Sequence, residues 1–283
     1  EGAGCWWITC TGFESGKEYM FQYMAGNEDT RMRLSDPYSE IVYSGDDQWI
    51  SSSTYPGLRT YPSGTSGYVS AFEIGREAYN WQVTDFEIED KDDLIIYELL
   101  LRDFTVNGGK EGNLSLAMAK PAYLETLGVN AIELMPIQEF DGNDSWGYNP
   151  NHYFALDKAY GTRKQYKDFI EACHQRGIAV IIDVVYNHST GDSPLAKLYW
   201  NSSSSKTSGF ERSNFKKASF VLCPPEKAER GLNFSSSEKP QMSSAVMWLS
   251  GMASLTASCA GASEVVVTTI SSKPAVPASA SCA

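Results

Sequence analysis

The spacing of apolar positions changes twice along the chain. Up to about residue 43 it alternates: Trp7 and Thr9, then Tyr19, Phe21 and Tyr23 on one parity, with Gly12, Ser15 and Gly16 between the runs. That period of two predicts a hairpin in an antiparallel sheet, and Asp36-Pro37-Tyr38 ends it with a turn signal. Residues 1–43 are too short to form a domain alone. They read as the end of a β-sandwich whose earlier strands would lie upstream. Residues 44–75 are rich in Ser, Gly, Pro and Tyr, and the whole of 44–93 is expected as a linker or surface wrap.

From Leu94 the pattern is different. Leu94 to Leu100, Val129 to Ile137 and Ile178 to Val185 are short, continuous apolar runs bounded by turn residues, the pattern of parallel strands buried on both faces. Tyr166, Phe169, Ile170 and Cys173 recur at helical spacing, which predicts a helix from Arg163 to Arg176. Thr162 and Gln165 form its capping box and Gly177 lies just past its end. Leu124, Leu127 and Gly128 repeat the same helix, glycine, strand plan, with a break or helix start at Pro121. The expected fold class is therefore α/β, over residues 94–200. Three βα units in this order suit either an open doubly wound sheet or an eight-stranded barrel.

The chain has 283 residues, 42 % of them hydrophobic and 12 % aromatic, with a net charge of −12. That excludes disorder of the whole chain and argues against nucleic acid or an anionic membrane surface as partner, leaving a neutral ligand. No apolar run is long enough for a membrane span. The averages conceal a split at Asn201. All 16 Tyr, 3 His and 15 Asp precede it, whereas residues 201–283 contain 20 Ser and carry +3, so the first 200 residues carry −15. This Ser/Ala-rich tail is expected to be a non-native, frame-shifted continuation or a disordered one, against the alternative of a natural linker. Six cysteines form no CxxC pair and no metal spacing with the histidines. Any signal peptide would lie upstream of Glu1, so the compartment is left open.

In either α/β arrangement, chemistry belongs at the C-terminal ends of the strands. Two polar clusters lie there: Asp144 to Pro150 with His152 and Tyr153 after the second strand, and Asp183-Val184-Val185-Tyr186-Asn187-His188-Ser189 after the third. An Asp inside an apolar strand costs several kcal/mol without a partner for its charge, so Asp183 is expected to have one. An ion pair or backbone cap at the mouth of the sheet would satisfy it equally well. The Asn-His pair beside a Trp and Tyr loop favours sugar recognition, which uses aromatic platforms flanked by fixed hydrogen-bonding groups.

The string DVVYNHS at 183–189, preceded by RGIAVII, resembles the first conserved region of the α-amylase superfamily, glycoside hydrolase family 13. IIYELLLRDF at 95–104 is similar to the family's first barrel strand, LGVNAIELMPI at 127–137 to its second, and WGYNPNHYFALDKAYGT at 146–162 to its second βα loop. The stretch holding FQY and DPYS resembles the end of the immunoglobulin-like domain that precedes the barrel in isoamylase, branching-enzyme and many bacterial amylase relatives. The resemblance implies an incomplete TIM (β/α)8 barrel, its first three βα units, preceded by the end of an immunoglobulin-like β-sandwich.

It also implies site roles. Tyr148 would stack beneath a sugar, with Trp146 as a further substrate contact, and His188 would hydrogen-bond that sugar. Asp183 would hold the network under the catalytic centre, and Asn187 would offer its amide oxygen to a structural Ca2+. The family cleaves α-glucosidic bonds with retention, using two carboxylates about 5 Å apart. Those belong to later barrel strands; the tail after Asn201 contains no Asp, and none of its Glu211, Glu226, Glu229, Glu238 and Glu264 follows a recognisable barrel strand. The catalytic carboxylates are thus expected to be absent and the chain as written inactive. The implied activity is α-amylase-type hydrolysis of starch- or glycogen-like α-glucan. The alternatives are a pullulanase or neopullulanase, a glucan branching enzyme, or, in another class, a non-catalytic carbohydrate-binding remnant.

Overall fold

The computed structural model of the chain describes residues 9–26, 31–106, 112–201, 206–207, 218–221, 254–260 and 279–281. The chain divides into two compact units, one of Glu1–Gly45, Tyr61–Glu77 and Ser236–Ala283, the other of Asp46–Thr60 and Ala78–Ser235. The reading of 201–283 as non-native or disordered falls mostly outside the described residues.

In the first unit the strands are β1 (Thr9–Thr11), β2 (Glu18–Gly26), β3 (Arg31–Leu34), β4 (Ile41–Tyr43) and β5 (Val69–Glu73). The nine-residue β2 organises the sheet. Along one edge it pairs antiparallel with β5 through Glu18–Phe21 and with β3 through Tyr23–Gly26, and along the other with Ser254–Ala260. The antiparallel character is as expected, but two details differ. β1 pairs with Ser279–Ser281 rather than forming a hairpin with β2, whose two edges are taken by β5 and β3 and by Ser254–Ala260. The 44–93 linker contains β5, which lies between β4 and β2. Its Val69-Ser70-Ala71 is too short a period to stand out from the Ser- and Gly-rich flanks. Buried Gln22 fixes that excursion, its Nε2 donating to the carbonyls of Ser66 and Tyr68 at 2.8 Å each. The described residues here give one five-stranded antiparallel sheet and the two-stranded parallel pair of β1 with Ser279–Ser281, and they do not establish a sandwich.

The second unit is mixed α/β. Its parallel strands β6 (Ile96–Leu99), β7 (Ala131–Leu134) and β10 (Ala179–Val184) lie side by side in chain order, without the reversal that defines a doubly wound sheet. Between them come α1 (Leu101–Phe104), α2 (Leu114–Ala117), α3 (Pro121–Thr126), the hairpin of β8 (Gln138–Phe140) and β9 (Pro150–Leu156), and α4 (Arg163–His174); α5 (Pro194–Tyr199) follows β10. The helix signals read from the sequence hold. Pro121 is the first residue of α3, both hydrogen bonds of the Thr162/Gln165 box form, and Gly177 takes φ +70 just past α4.

Leu101, Leu114, Leu124, Ile132, Leu134, Phe140, Phe169, Ile178 and Val180 form the core between sheet and helices. Burial of β6 on both faces is not observed: Ile95 and Ile96 are 58 % and 49 % exposed, because β6 is the terminal strand of its sheet among the described residues. At the other end the edge of β10 is not open. Ala218–Val221 pairs antiparallel with Ile181–Val184, as an unpaired edge invites.

Candidate functional site

The site grows from the C-terminal end of β10 and the loop joining β8 to β9. Asp141 and Asn149 close that loop by a mutual pair of bonds, Asp141 N–H to the Asn149 carbonyl at 3.1 Å and Asn149 Nδ2 to the Asp141 carbonyl at 3.3 Å. Within the closed segment Gly147 has φ +87, and any Cβ there would run into the carbonyl of Pro136. Only glycine lets the backbone approach this closely. Ser145 Oγ accepts the Gly147 N–H at 2.9 Å and contacts Asn149, while Arg102 at the start of α1 bonds both Asp103 and Asp144. The loop is thus held on three sides, which fixes where Trp146 and Tyr148 emerge.

Asp183 is fully buried near the end of β10. Tyr148 Oη donates to its Oδ2 at 2.6 Å, a short charge-assisted bond of the kind that offsets burial of a carboxylate. A phenol from the aromatic loop is thus one partner of this buried carboxylate. His188 returns to the same residue: its Nε2 lies 2.6 Å from the Tyr148 carbonyl. A carbonyl only accepts, so that ring nitrogen carries a proton. Tyr148 is thereby gripped at both ends by the chain that leaves β10. Tyr153 Oη donates to the His188 carbonyl at 2.9 Å, and its ring meets Tyr186 edge-on at 5.5 Å. Trp146 projects into solvent, 61 % exposed.

Of the residues read from the sequence, Tyr148, Asp183, His188 and Asn187 come together, with Trp146 on the same loop. The sequence places Tyr153 and Tyr186 in the two polar clusters without a role for either, and it does not single out Arg102 or the need for glycine at 147. An aromatic followed by Gly in WGYNP is the signal that would have found the last.

A hard cation takes 6–8 oxygens, side-chain amide and backbone carbonyl oxygens among them. Asn187 Oδ1 lies 3.1 Å from His188 Nδ1, and among the described residues no three His, Cys, Asp or Glu side chains form a metal-binding group. No chemical step here runs through a calcium ion.

Beneath the loop is a buried charged cluster. Lys158 Nζ lies 2.6 Å from Glu139 Oε1 and 3.4 Å from Asp47 Oδ1, and Asp157 accepts the N–H groups of Phe140 and Ala159 at 3.1 and 2.8 Å. Three carboxylates share one ammonium away from water. Burial pushes the Glu139 carboxyl well up, against the pull of Lys158, and raises Asp157 to about 7. The neighbouring His152 is driven down to about 3, by burial first and then by Lys158 and Lys197.

Residues 87–245 match the alpha-amylase catalytic domain, and the chain belongs to that family. It is 37 % identical over 157 residues to the malto-oligosyltrehalose trehalohydrolase of Saccharolobus solfataricus, covering 56 % of this chain and 26 % of that protein. It is 28 % identical over 193 residues to the 1,4-alpha-glucan branching enzyme GlgB of Rhodospirillum rubrum, covering 68 % and 24 %. The catalytic module of the multi-modular glycogen-degrading pneumococcal virulence factor SpuA matches with 25 % identity and a TM-score of 0.49 over 60 % of this chain and 28 % of that one. The chain spans about a quarter of the length of these curated relatives. These are glycosidases and glycosyl transferases of the α-amylase superfamily, and the chain shares that carbohydrate-active class.

Proposed function

We propose that the chain carries the glucose-recognising part of a retaining, α-amylase-type glycoside hydrolase, built as the first three βα units of a (β/α)8 barrel, and that as written it binds α-glucan without cleaving it. The observation that carries this reading is the hub in which Tyr148 bonds buried Asp183 through its hydroxyl and His188 through its carbonyl. An aromatic ring locked at both ends is a preorganised platform for the apolar face of a sugar, and His188 and Asp183 beside it supply oriented polar groups.

In this reading Tyr148 stacks under a glucose unit, His188 meets its hydroxyls, Asp183 keeps the platform in place and Trp146 touches the adjoining unit. Retention would require two further carboxylates about 5 Å apart on either side of the bond. No Asp follows Asp192, and none of Glu211, Glu226, Glu229, Glu238 and Glu264 follows a recognisable barrel strand in the sequence, so turnover is not expected. An immunoglobulin-like origin for the first unit belongs to the same proposal, supported by the antiparallel pairing around β2.

The test uses the purified 283-residue chain on a native gel containing soluble starch beside a reducing-end assay. Retarded migration with no reducing sugar released is the expected result. Migration unchanged by starch removes the binding claim, and measurable reducing sugar removes the claim of inactivity.

A further inference from the structure

We infer that Trp49 is a second platform for α-glucan, continuous with the loop that carries Trp146 and Tyr148. The inference rests on the α-glucan reading above and extends it to a residue outside every motif read from the sequence.

Three observations support it. Among the described residues of the second unit, the two most exposed large apolar side chains are both tryptophans, Trp49 at 76 % and Trp146 at 61 %. One hydrogen bond ties the turn that ends at Trp49 to the loop that carries Trp146. Asn143 Nδ2 donates to the Asp46 carbonyl at 2.7 Å, Trp49 ends the 3-10 turn Gly45–Trp49 that contains Asp46, and Trp146 follows Asn143 by three residues. The turn advances about 6 Å over three residues and the loop about 11 Å at most, so both indoles emerge within a short reach of that one bond.

The support beneath Trp49 is also firm. Asp47 is buried against Lys158 at 3.4 Å, the Ile50 N–H closes the turn on the Asp47 carbonyl at 3.0 Å, and Asn113 Nδ2 holds Thr54 Oγ1 at 3.1 Å. An exposed indole on an anchored turn loses little freedom when a ligand covers it.

The chemistry of the surface selects the ligand. The first 200 residues carry −15, which disfavours anions. Gln48 and the hydroxyls of Ser51 and Ser53 flank Trp49 in the sequence and are exposed. The exposed Asp46 of the same turn adds a carboxylate, and an aromatic face bordered by hydroxyl, amide and carboxylate groups fits an uncharged ring with an apolar face and a hydroxyl rim. An α-glucan is a chain of such rings, so Trp49 would engage a long glucan and a short sugar would reach only the Tyr148 platform.

The experiment compares the unaltered chain with Trp49→Ala and Trp49→Phe on glycogen-containing native gels, with maltose binding followed by titration. Trp49→Ala is expected to weaken glycogen retardation by about three- to tenfold, to leave maltose affinity and the thermal midpoint unchanged, and to be largely rescued by Phe. Equal retardation of the unaltered chain and Trp49→Ala overturns the inference alone. Loss of maltose affinity in Trp49→Ala also overturns it, since Trp49 would then be part of the Tyr148 platform or its support. No retardation of the unaltered chain overturns the α-glucan reading and this extension with it.

Discussion

Tyr148 joins two demands that a sequence states separately. A carboxylate within an apolar strand must find a donor, and a sugar platform must be held still; a single phenol meets both by bonding Asp183 at 2.6 Å while its own carbonyl receives His188. Replacing it by Phe keeps the ring and removes the donor from a fully buried carboxylate, at a cost of about 1–3 kcal/mol. Urea denaturation of Tyr148→Phe checks this. Asp183→Asn removes the charge that makes the missing donor costly, so the double variant Tyr148→Phe with Asp183→Asn is expected to lose less than the sum of the two single changes. Additive losses would mean that the bond contributes nothing of its own. Asp183 and His188 were legible because a polar residue inside or ending an apolar strand is conspicuous. Tyr153 was legible as a member of the polar cluster but its role was not, because it bonds a backbone carbonyl 35 residues on, which leaves no local pattern.

The β8–β9 hairpin shows where legibility stops at the level of elements. Parallel strands and α4 announce themselves by unbroken apolar runs and a capped helical period. The hairpin instead buries Gln138, Glu139, Asn151 and His152, polar residues that read as loop until tertiary partners neutralise them. Those partners make the hairpin sensitive to pH. Burial raises Asp157 from its ordinary 3.8 to about 7 and lifts Glu139 as well. A carboxyl whose folded value is raised contributes stability that is complete below its unfolded value and lost as pH rises through the folded one. From about pH 4 to 7 this cluster therefore weakens the fold as pH increases.

His152 acts in the opposite direction. Its folded value of about 3 against an ordinary 6.5 keeps it neutral while the unfolded chain takes up a proton, so its contribution is lost as pH falls below 6.5. The two effects oppose each other across the same window in the unaltered chain. Stability measured by urea at several pH values between 4.5 and 6.5 is expected to fall more steeply with rising pH in His152→Gln. In Asp157→Asn it is expected to flatten or rise, each group shifting the slope by up to about 1.4 kcal/mol per pH unit. Parallel curves for all three chains would show that neither group titrates across folding.

Viewed whole, the second unit is a sheet with one edge covered and one edge bare. Ala218–Val221 occupies the side of β10 where a parallel strand would continue a barrel, and it lies antiparallel. At the other end, no strand among the described residues pairs with the outer side of β6, where Ile95 and Ile96 are exposed. The overall charge of −12 opposes the approach of a second chain, but only over a Debye length of about 10 Å at 0.1 M salt. Apolar surface on an open edge attracts at contact and does not weaken with salt. Self-association is therefore expected to increase with both protein concentration and ionic strength. Light scattering of the unaltered chain in low and high salt should show that trend. Ile96→Lys, which places a charge on the bare edge without touching the Tyr148 hub, should suppress it while leaving starch retardation intact. Equal scattering from both chains under all conditions would mean that the edge of β6 is not the surface through which molecules meet.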